Sequence, residues 1–412
     1  MAAHSKWCDC AYMLELKPRS PDAALFVDCP LVGQQTHRNE LVKIFKDRIE
    51  IGPSESETRE LDAESKGRCQ GMISDVSLCP GTVQNIAWAD EDRVFTCKLG
   101  TDTVLATKSF ATLARECCDC DVSLDSVCIG DVSRQATCNI CQEEFFKPNC
   151  IRTCRALPCD DWQSAMDSVD LFCHHHNNHN VSCNGDAASS ESGQQQQPRS
   201  FLPEQGECHI SDSYLLVHKD STQSLKVNSE TKAVHCEHCL ADVGMLCRVH
   251  PGVYQLYHVG VQLQKAENPL SQSWLNSRFQ TTERYFAWTL ATNCETYSSL
   301  KFLVRSFEKR VHLLIWLLDS YSVFVFGKMC VLPTSSTSDP PITTLKMMYK
   351  LYDETTAKND PRASGQDASV TILSLPNAAC RDLQQLLMES TQSLPPVCRT
   401  IGQFYVGYLR TN

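Results

Sequence analysis

Two pairs of cysteines have the spacing that binds a metal ion. Two residues separate Cys138 from Cys141, and two separate Cys236 from Cys239. This spacing lets both thiolates of one turn approach the same tetrahedral ion, and two such turns complete a four-thiolate zinc shell. We therefore predict that the four cysteines bind one structural zinc ion, which fastens together the two parts of the chain that carry them. Such a shell leaves no open position for a catalytic water.

Other interpretations of these cysteines stay open at the level of sequence. The chain has 25 cysteines among 412 residues, so one or both pairs could be ordinary packed side chains. Neighbouring histidines and cysteines could also replace one of the four ligands; these neighbours are His235, His238, Cys117, Cys118 and Cys120. A redox pair is disfavoured because neither Cys-x-x-Cys follows a strand–turn–helix pattern.

A second group of metal-binding residue types lies within residues 157–176. It begins with Leu-Pro-Cys-Asp-Asp-Trp and includes Cys173, followed by three histidines that start at His174. One interpretation is a segment that docks on a partner, with Trp162 and Phe172 as apolar anchors, since aromatic residues dominate such contacts. The other is a histidine-rich linker that binds metal without a function.

Cys380 is the third candidate, in the sequence Leu-Pro-Asn-Ala-Ala-Cys-Arg. If a helix begins near Asn377, a good N-cap residue, Cys380 lies in its first turn. The helix dipole and Arg381 would then lower the pKa of the thiol and favour the thiolate that a transthiolation reaction needs. The alternative is a cysteine that packs on the apolar face of an amphipathic helix.

Composition and charge exclude several classes of protein. With 38 Lys and Arg against 49 Asp and Glu, the net charge is −11, whereas a general nucleic-acid binder needs a basic face to replace phosphate counterions. The sequence opens without a secretory signal pattern. Its longest apolar block, residues 311–326, is interrupted by Asp319 and is too short for a membrane helix. We expect a cytoplasmic protein, with the nucleus as a second location, where thiols stay reduced.

Four regions follow from the pattern along the chain. Short apolar runs between polar breaks predict a β-rich N-terminal domain over residues 1–115. A cysteine-rich segment with the first cysteine pair covers residues 116–173, and a disordered linker with four consecutive glutamines covers residues 174–206. A C-terminal domain with the second pair covers residues 207–412. The predicted fold is α+β and mostly β, with two β-rich halves joined by the zinc-stapled cysteine-rich segment and few short helices.

The C-terminal half allows the most specific predictions of secondary structure. Residues 311–318 and 321–326 are apolar runs on either side of an Asp-Ser pair, which predicts a β-hairpin. Residues 342–352 predict a short helix. Apolar residues recur at helical spacing over residues 378–390, which predicts an amphipathic helix. Residues 401–409 predict the final strand.

Several of these segments together resemble a known family. The chain is identified as a member of the HECT-like ubiquitin-protein ligases, whose members bind a cyclin-B-directed ubiquitin-conjugating enzyme. The resemblance extends over about residues 70–410 and rests on short motifs in a fixed order. These motifs are residues 138–141, 157–162, 173–174, 210–217, 236–239, 313–318, 375–380 and 404–406.

The resemblance implies an enzyme that accepts ubiquitin from a conjugating enzyme and transfers it to substrate lysines. It implies Cys380 as the acceptor, although Ala379 stands where HECT ligases usually have a threonine. The implied partners are the conjugating enzyme, ubiquitin and cyclin B.

The resemblance also implies an alternative, non-enzymatic role. Residues 157–176 are similar to a segment by which relatives block the active site of the metallo-β-lactamase-type endonuclease of pre-mRNA 3′-end processing. A cysteine thiolate such as that of Cys173 can take the open metal position of such a site. In this interpretation the chain is an endonuclease inhibitor, and Trp162, Phe172, Cys173 and His174 bind the partner.

Overall fold

The computed structural model of the chain is mostly β-structure with few helices, as predicted. It describes residues 11–18, 20–28, 42–52, 69–89, 93–118, 134–162, 201–265, 273–318, 321–329 and 339–412. Among these residues the helices are all too short or too polar to cross a bilayer.

The strands fall into three groups along the chain. Those up to residue 162 are β1 (Ala11–Leu16), β2 (Asp22–Asp28), β3 (Val42–Ile44), β4 (Arg48–Ile51), β5 (Cys69–Met72), β6 (Leu78–Ala89), β7 (Val94–Thr101), β8 (Arg134–Cys138) and β9 (Thr153–Ala156). The second group is β10 (Glu207–Ile210), β11 (Tyr214–His218), β12 (Leu225–Val227), β13 (Ala233–Cys236), β14 (Asp242–Leu246), β15 (Val253–Tyr257) and β16 (Val261–Lys265). The third group is β17 (Lys301–Ser306), β18 (Val311–Leu317), β19 (Ser322–Lys328), β20 (Ile342–Leu351), β21 (Thr371–Leu375), β22 (Thr400–Ile401) and β23 (Phe404–Arg410).

The described residues contain few α-helices. They are α1 (Phe110–Cys117), α2 (Trp274–Phe279), α3 (Thr282–Tyr297), α4 (Glu354–Asn359) and α5 (Asn377–Ser393). The predicted amphipathic helix is α5, and its apolar face buries Leu383 and Leu387. It packs against β17, β18 and β23, and α3 packs against β23 as well. The predicted final strand is β23.

The largest sheet combines strands from both ends of the chain. Its strands run in the order β21-β17-β18-β20-β19-β1-β2-β7-β6, and β23 and β22 extend it from β20. β1 pairs antiparallel with both β19 and β2. The N-terminal and C-terminal regions therefore share one sheet and one core, in which Leu14, Leu25, Leu313 and Leu345 are fully buried.

The predicted hairpin of residues 311–326 does not form. Both β18 and β19 pair antiparallel with β20, where Leu317 lies opposite Met347 and Ser322 lies opposite Thr344. The two strands therefore follow each other in the same direction along β20. An Asp-Ser pair between two apolar runs indicates a turn, but it does not determine which strands pair with each other. The prediction was wrong for this reason. The proposed turn residues, 319 and 320, lie outside the described residues.

Residues 342–352 form a strand, β20, and not the predicted short helix. Leu345, Met347 and Tyr349 alternate onto one face of the sheet and are at most 1% exposed, which is the period of a strand. The stretch begins with Ile-Thr-Thr, whose β-branched side chains favour a strand. Lys346 and Lys350 occupy alternate positions with these residues, and only Met348, which is 9% exposed on the other face, interrupts the alternation. The prediction failed because the adjacent apolar residues Met347 and Met348 were given more weight than this alternation.

The cysteine-rich segment is held against the C-terminal half by strand pairing. A second sheet has the order β12-β13-β14-β15-β11-β10-β9, and β9 joins it in parallel with β10. β8 pairs separately with β16, and β3, β4 and β5 form a small sheet of their own. Residues 201–206, at the end of the predicted linker, are also described: Phe201 packs against Trp162 with ring centroids 6.2 Å apart.

Candidate metal centre

The four cysteines of the two pairs meet at one point. Their sulfur atoms all lie within 4.8 Å of one another. The Sγ–Sγ distance is 3.6 Å between Cys138 and Cys239, and 3.6 Å between Cys141 and Cys236. In a tetrahedral site with Zn–S bonds of about 2.3 Å, neighbouring sulfurs are about 3.8 Å apart. The donors and their spacing therefore fit a zinc ion.

The two turns that carry the cysteines have the same backbone geometry. We call residues 138–143 the first knuckle and residues 236–241 the second knuckle. In each, the amide of the fifth residue donates to the carbonyl oxygen of the first cysteine, and the first cysteine's amide donates to the carbonyl oxygen of the sixth residue. The fifth residues, Gln142 and Leu240, have φ angles of 62° and 61°, a left-handed conformation that turns the chain back on itself.

An apolar core beneath the knuckles brings them together. Cys138 ends β8 and lies opposite Val261 of β16. Phe145, which follows the first knuckle, packs in one cluster with Val234 of β13 and Val243 of β14, and all three are at most 1% exposed. Because this core joins the two knuckles through side chains as well, a bound ion adds to a contact that the protein already makes.

The electrostatic environment of the four thiols is uneven. Burial raises the pKa of Cys138 to about 12 and also raises the pKa of Cys236. Burial acts in the same direction at Cys141, but hydrogen bonds from the backbone amide of Glu143 and from the side chains of His238, Cys239 and Cys236 together outweigh it and lower the pKa of that thiol to about 6. Metal binding requires deprotonated thiolates, so an ion at this site would release protons and bind more tightly as the pH rises.

Among the alternative ligands considered from the sequence, His238 lies beside the group, where its side chain forms a hydrogen bond with Cys141, but it does not replace a cysteine. Cys117 and Cys118, at the end of α1, are buried in the core of the largest sheet. His235 lies 3.6 Å from a carboxylate oxygen of Glu308, and Cys120 lies outside the described residues. Within the part of the chain that the structure describes, the four knuckle cysteines are the one group of such ligands close enough to share an ion.

Cys380 lies in the first turn of α5, but in a different environment from the one expected. Its side chain is 0% exposed, and its Sγ lies 3.8 Å from the carbonyl oxygen of Leu375. Burial raises the pKa of the thiol and Asp242 adds to the effect, whereas Arg381 opposes it. The predicted lowering of the pKa is therefore wrong, because desolvation outweighs the helix dipole and the arginine. The role of Cys380 as a ubiquitin acceptor stays a prediction.

The N-terminus of α5 is capped by a residue that sequence reasoning missed. Asn377, the predicted cap, is the first helical residue, and its backbone amide donates to both carboxylate oxygens of Asp242 at 2.9 Å. Asp242 directly follows the second knuckle and begins β14. A carboxylate at this position also offsets the partial positive charge of the helix end. The second knuckle is thereby linked to the helix that carries Cys380.

Comparison with known families decides the assignment. The family described as HECT-like ubiquitin-conjugating enzyme (E2)-binding matches residues 101–406. The chain belongs to this family. The matched region contains both knuckles and all of α5, so the resemblance seen in the short motifs is confirmed.

Individual relatives of the chain are distant. The chain is 24% identical to an E3 ubiquitin-protein ligase of Mus musculus over 284 residues, which is 66% of this chain and 70% of the relative. The ligase of the same name from Rattus norvegicus is 23% identical over 278 residues, 65% of this chain and 68% of the relative. That from Homo sapiens is 21% identical over 307 residues, 66% and 72% respectively. No solved structure matches the chain.

Trp162, one of the predicted partner-binding residues, is packed inside the protein. It is 2% exposed and packs in a cluster with Leu216 of the second sheet. Its ring therefore holds the Leu-Pro-Cys-Asp-Asp-Trp segment on the body of the protein. Phe172, Cys173 and His174 lie outside the described residues, so the inhibition of an endonuclease stays a prediction.

Proposed function

We propose that this chain is a ubiquitin ligase that binds a charged ubiquitin-conjugating enzyme and promotes ubiquitin transfer to substrate lysines. The observation that carries the proposal is the match of an E2-binding family over residues 101–406. The names of the relatives support the same activity. We further propose that the knuckles hold one structural zinc ion, because four thiolates in a closed tetrahedral shell are typical of such ions.

Direct transfer from the conjugating enzyme agrees with the burial of Cys380. A thioester intermediate needs an accessible thiolate, whereas this side chain is 0% exposed and its pKa is raised. A ligase that holds the conjugating enzyme next to the substrate needs no cysteine of its own, since proximity alone accelerates the reaction. We propose this route, and transfer through Cys380 is the alternative that the same experiment tests.

The tips of the two knuckles are the proposed docking surface for the conjugating enzyme. Ile140 in the first knuckle is 61% exposed and Leu240 in the second is 71% exposed. Apolar side chains on turns that an ion holds rigid lose little conformational entropy when they bind. Their position on neighbouring turns supports one shared apolar contact, of the kind that contributes most of the energy at the centre of an interface.

Ubiquitin transfer assays with a panel of charged conjugating enzymes test this proposal. We expect the chain to stimulate transfer by at least one enzyme, and Cys380→Ala to leave the rate unchanged. The double variant Ile140→Asp with Leu240→Asp should lower the rate about tenfold, which corresponds to a loss of about 1.4 kcal/mol of binding. The matched control is Ile401→Asp in β22, where the side chain is 52% exposed, and it should keep full activity.

Two results would contradict parts of the proposal. A reducible ubiquitin adduct that forms on the wild-type chain and disappears in Cys380→Ala would establish the thioester route. Absence of stimulation by every conjugating enzyme, measured on protein with one zinc ion per chain and a cooperative unfolding transition, would rule out the ligase activity.

A further inference from the structure

A groove of about 630 Å³ lies between β21 and α3. We call it the edge groove. Residues 372–375 of β21 border one side, and residues 159–161 and the second sheet border it as well. The side opposite β21 is one face of α3, whose residues recur at helical spacing; they are Trp288, Thr289, Thr292, Asn293, Thr296 and Tyr297. A strand and a helix therefore form two walls of the groove.

β21 is an edge strand. It stands last in the strand order of the largest sheet and, among the described strands, pairs with β17 alone, in parallel. No backbone hydrogen bond from another described residue reaches residues 371–374 on the side away from β17. An edge strand presents a row of unpaired N–H and C=O groups that can pair with another chain. β21 therefore has one side on which a further strand can form hydrogen bonds.

The edge groove runs beside the backbone of β21 and not over one face of the sheet. Leu373 and Leu375 belong to the core of the largest sheet. Ile372 lies on the opposite face: it is 37% exposed, and a Cβ added to Gly365 would lie 3.3 Å from its Cδ1. Side chains of a strand alternate between the two faces of a sheet. A cavity that borders all of residues 372–375 therefore reaches the strand from its edge.

The length of the edge groove suits a short extended peptide. β21 has five residues, which span about 13 Å at the usual rise of a strand. The opposing face of α3, from Trp288 to Tyr297, spans about 14 Å at the usual rise of a helix. An added strand of about five residues covers the same distance. On the helix side, Thr292, Asn293 and Thr296 offer it polar side chains.

Three cations lie at the C-terminal end of β21. Arg305 is opposite Ser374 in the parallel pairing, and its Nε donates to Ser374 Oγ at 3.3 Å. Arg248 and Lys309 are exposed. Together with Arg305 they line a cavity of about 340 Å³ that shares Ser374 with the edge groove. Within the described part of the chain, none of the three forms an ion pair, so their charge is available to a ligand.

Two carboxylates border the same region, and one of them is already bonded within the protein. The carboxylate of Asp160 accepts hydrogen bonds from the backbone amide of Ser213, at 3.2 Å, and from its hydroxyl group. Burial raises the pKa of Asp160, the direction that favours its neutral form. Asp161 is the other carboxylate. Three cations against these two acids leave this end of the groove positive, which favours an acidic ligand.

We propose that the edge groove binds an extended acidic segment of the substrate protein as an additional strand beside β21. Backbone hydrogen bonds to β21 supply the affinity, as in other complexes that form by strand addition. Acidic side chains at one end of the segment pair with Arg248, Arg305 and Lys309, since hydrogen bonds between ionised groups are the strong ones.

The position of the edge groove assigns the segment to the substrate. β21 ends at Leu375, and two residues later the amide of Asn377 donates to the carboxylate of Asp242, directly after the second knuckle. The knuckle tips are the proposed docking surface for the conjugating enzyme, so a segment in the groove lies close to that enzyme. This assignment rests on the proposed function, whereas binding of the segment does not.

Binding of a labelled acidic peptide tests the edge groove without ubiquitin transfer. The probe is fluorescein-Glu-Val-Glu-Val-Glu-amide, measured by fluorescence anisotropy with the full chain. The control probe has lysine in place of each glutamate. We expect the acidic peptide to bind and the basic peptide not to bind. Added salt should weaken the binding, because exposed charge pairs are screened.

Replacement of backbone amides of the probe by esters tests strand addition itself. An ester lacks the N–H donor but keeps the shape and the charge of the peptide. In an added strand, alternate residues direct their N–H groups toward β21 and the others away from it. We expect esters at one alternate set of positions to weaken binding about tenfold and esters at the other set to leave it unchanged. Equal effects of the two sets would exclude strand addition.

Tryptophan substitutions on α3 supply the matched comparison. Thr292→Trp fills the groove and should abolish binding of the acidic peptide. Glu295→Trp, at an exposed position of the same helix outside the groove, should bind like the wild type. Urea unfolding checks that both variants are folded. Undiminished binding in Thr292→Trp would overturn the site.

Charge variants test the positive end of the groove. The double variant Arg248→Gln with Lys309→Gln should weaken binding of the acidic peptide about fivefold, the usual effect of losing exposed ion pairs. Lys358→Gln, at an exposed position of α4, should have no effect. An unchanged affinity in the double variant would overturn the choice of an acidic ligand.

Ubiquitin transfer to a peptide tests the assignment to the substrate. The acceptor carries one lysine after the acidic segment, and the control acceptor has glutamine in place of each glutamate. We expect the chain to stimulate transfer to the acidic acceptor about fivefold more, and Thr292→Trp to remove the difference. Peptide binding without this preference would overturn the assignment to the substrate. Absence of peptide binding would overturn the groove itself, and the variants at the knuckle tips and at Cys380 would still judge the ligase activity.

Discussion

The knuckles and the first turn of α5 both carry cysteines that the sequence singles out, and their environments are opposite. The knuckle sulfurs come from two remote turns and lie within 4.8 Å of one another. Cys380 lies on the buried face of a helix and is 0% exposed. A Cys-x-x-Cys pair constrains its own geometry, because two sulfurs on one tight turn face the same point. A single cysteine has no such constraint, and the residues that pack over it decide its exposure and its pKa.

Removal of one knuckle ligand is the change with the largest expected effect. The binding free energy of a structural zinc ion is part of the folding free energy, so Cys236→Ser should lower the free energy of unfolding by more than about 3 kcal/mol. We expect elemental analysis to find zinc in the wild type and none in this variant, and urea unfolding to measure the loss of stability.

Variants at other cysteines determine whether that loss is specific. Cys138→Ser should reproduce it if, as we propose, the two pairs share one ion. Cys159→Ser, at an exposed cysteine outside the knuckles, should keep both zinc and stability. Cys380→Ala should keep zinc and lower the free energy of unfolding by only about 1 kcal/mol, the effect of a small cavity. If either knuckle can be mutated without loss of zinc, the shared ion is excluded.

His258, which lines a cavity between the knuckles and α5, should make stability depend on pH. Burial lowers its pKa to about 4 in the folded chain, whereas a histidine in an unfolded chain has a pKa of about 6.5. Between these values the folded state binds fewer protons than the unfolded state, so stability rises with pH. The contribution is complete above about pH 6.5 and is lost as the pH falls toward 4.

Urea unfolding of the wild type and of His258→Gln at pH 7 and pH 5 measures this contribution. We expect the wild type to lose about 2 kcal/mol more than the variant over this range. The knuckle thiols also titrate in acid, but their contribution is common to both proteins and cancels in the difference. Equal losses in the two proteins would show that His258 is not held neutral in the folded state.

Local patterns in the sequence predict single elements well and strand partners poorly. The repeat of apolar residues over 378–390 identifies α5 because both the helix and its buried face arise within one segment. The pairing of β18 and β19 with β20, by contrast, depends on a strand that comes later in the chain. No pattern within residues 311–352 contains that information.

The same distinction applies to the candidate sites. The cluster of the four knuckle cysteines was predictable, because four consecutive residues determine the geometry of each pair. The cavity between the knuckles and α5 was not predictable, since residues that line it, such as Asn139, Asp242, His258 and Asp382, come from separate parts of the chain. The capping of α5 by Asp242 could not be predicted either, because the two come from distant parts of the sequence. An acidic residue shortly after the second cysteine pair was the one visible sign of it.

The smallest expected effect on stability comes from glycine substitutions, one in the second knuckle and one in α5. Their effects should have opposite signs because the backbone conformations of the two positions differ. Leu240 in the second knuckle has a φ of 61°, where a side chain is strained and glycine is not, and its side chain is too exposed to contribute much packing. Ala378 lies in the first turn of α5, where glycine is less favourable than alanine. Leu240→Gly should therefore raise the free energy of unfolding by about 0.5 kcal/mol, and Ala378→Gly should lower it by about 0.5 kcal/mol. Urea unfolding resolves the signs, and a loss of stability in both variants would contradict the left-handed turn assigned to the knuckle.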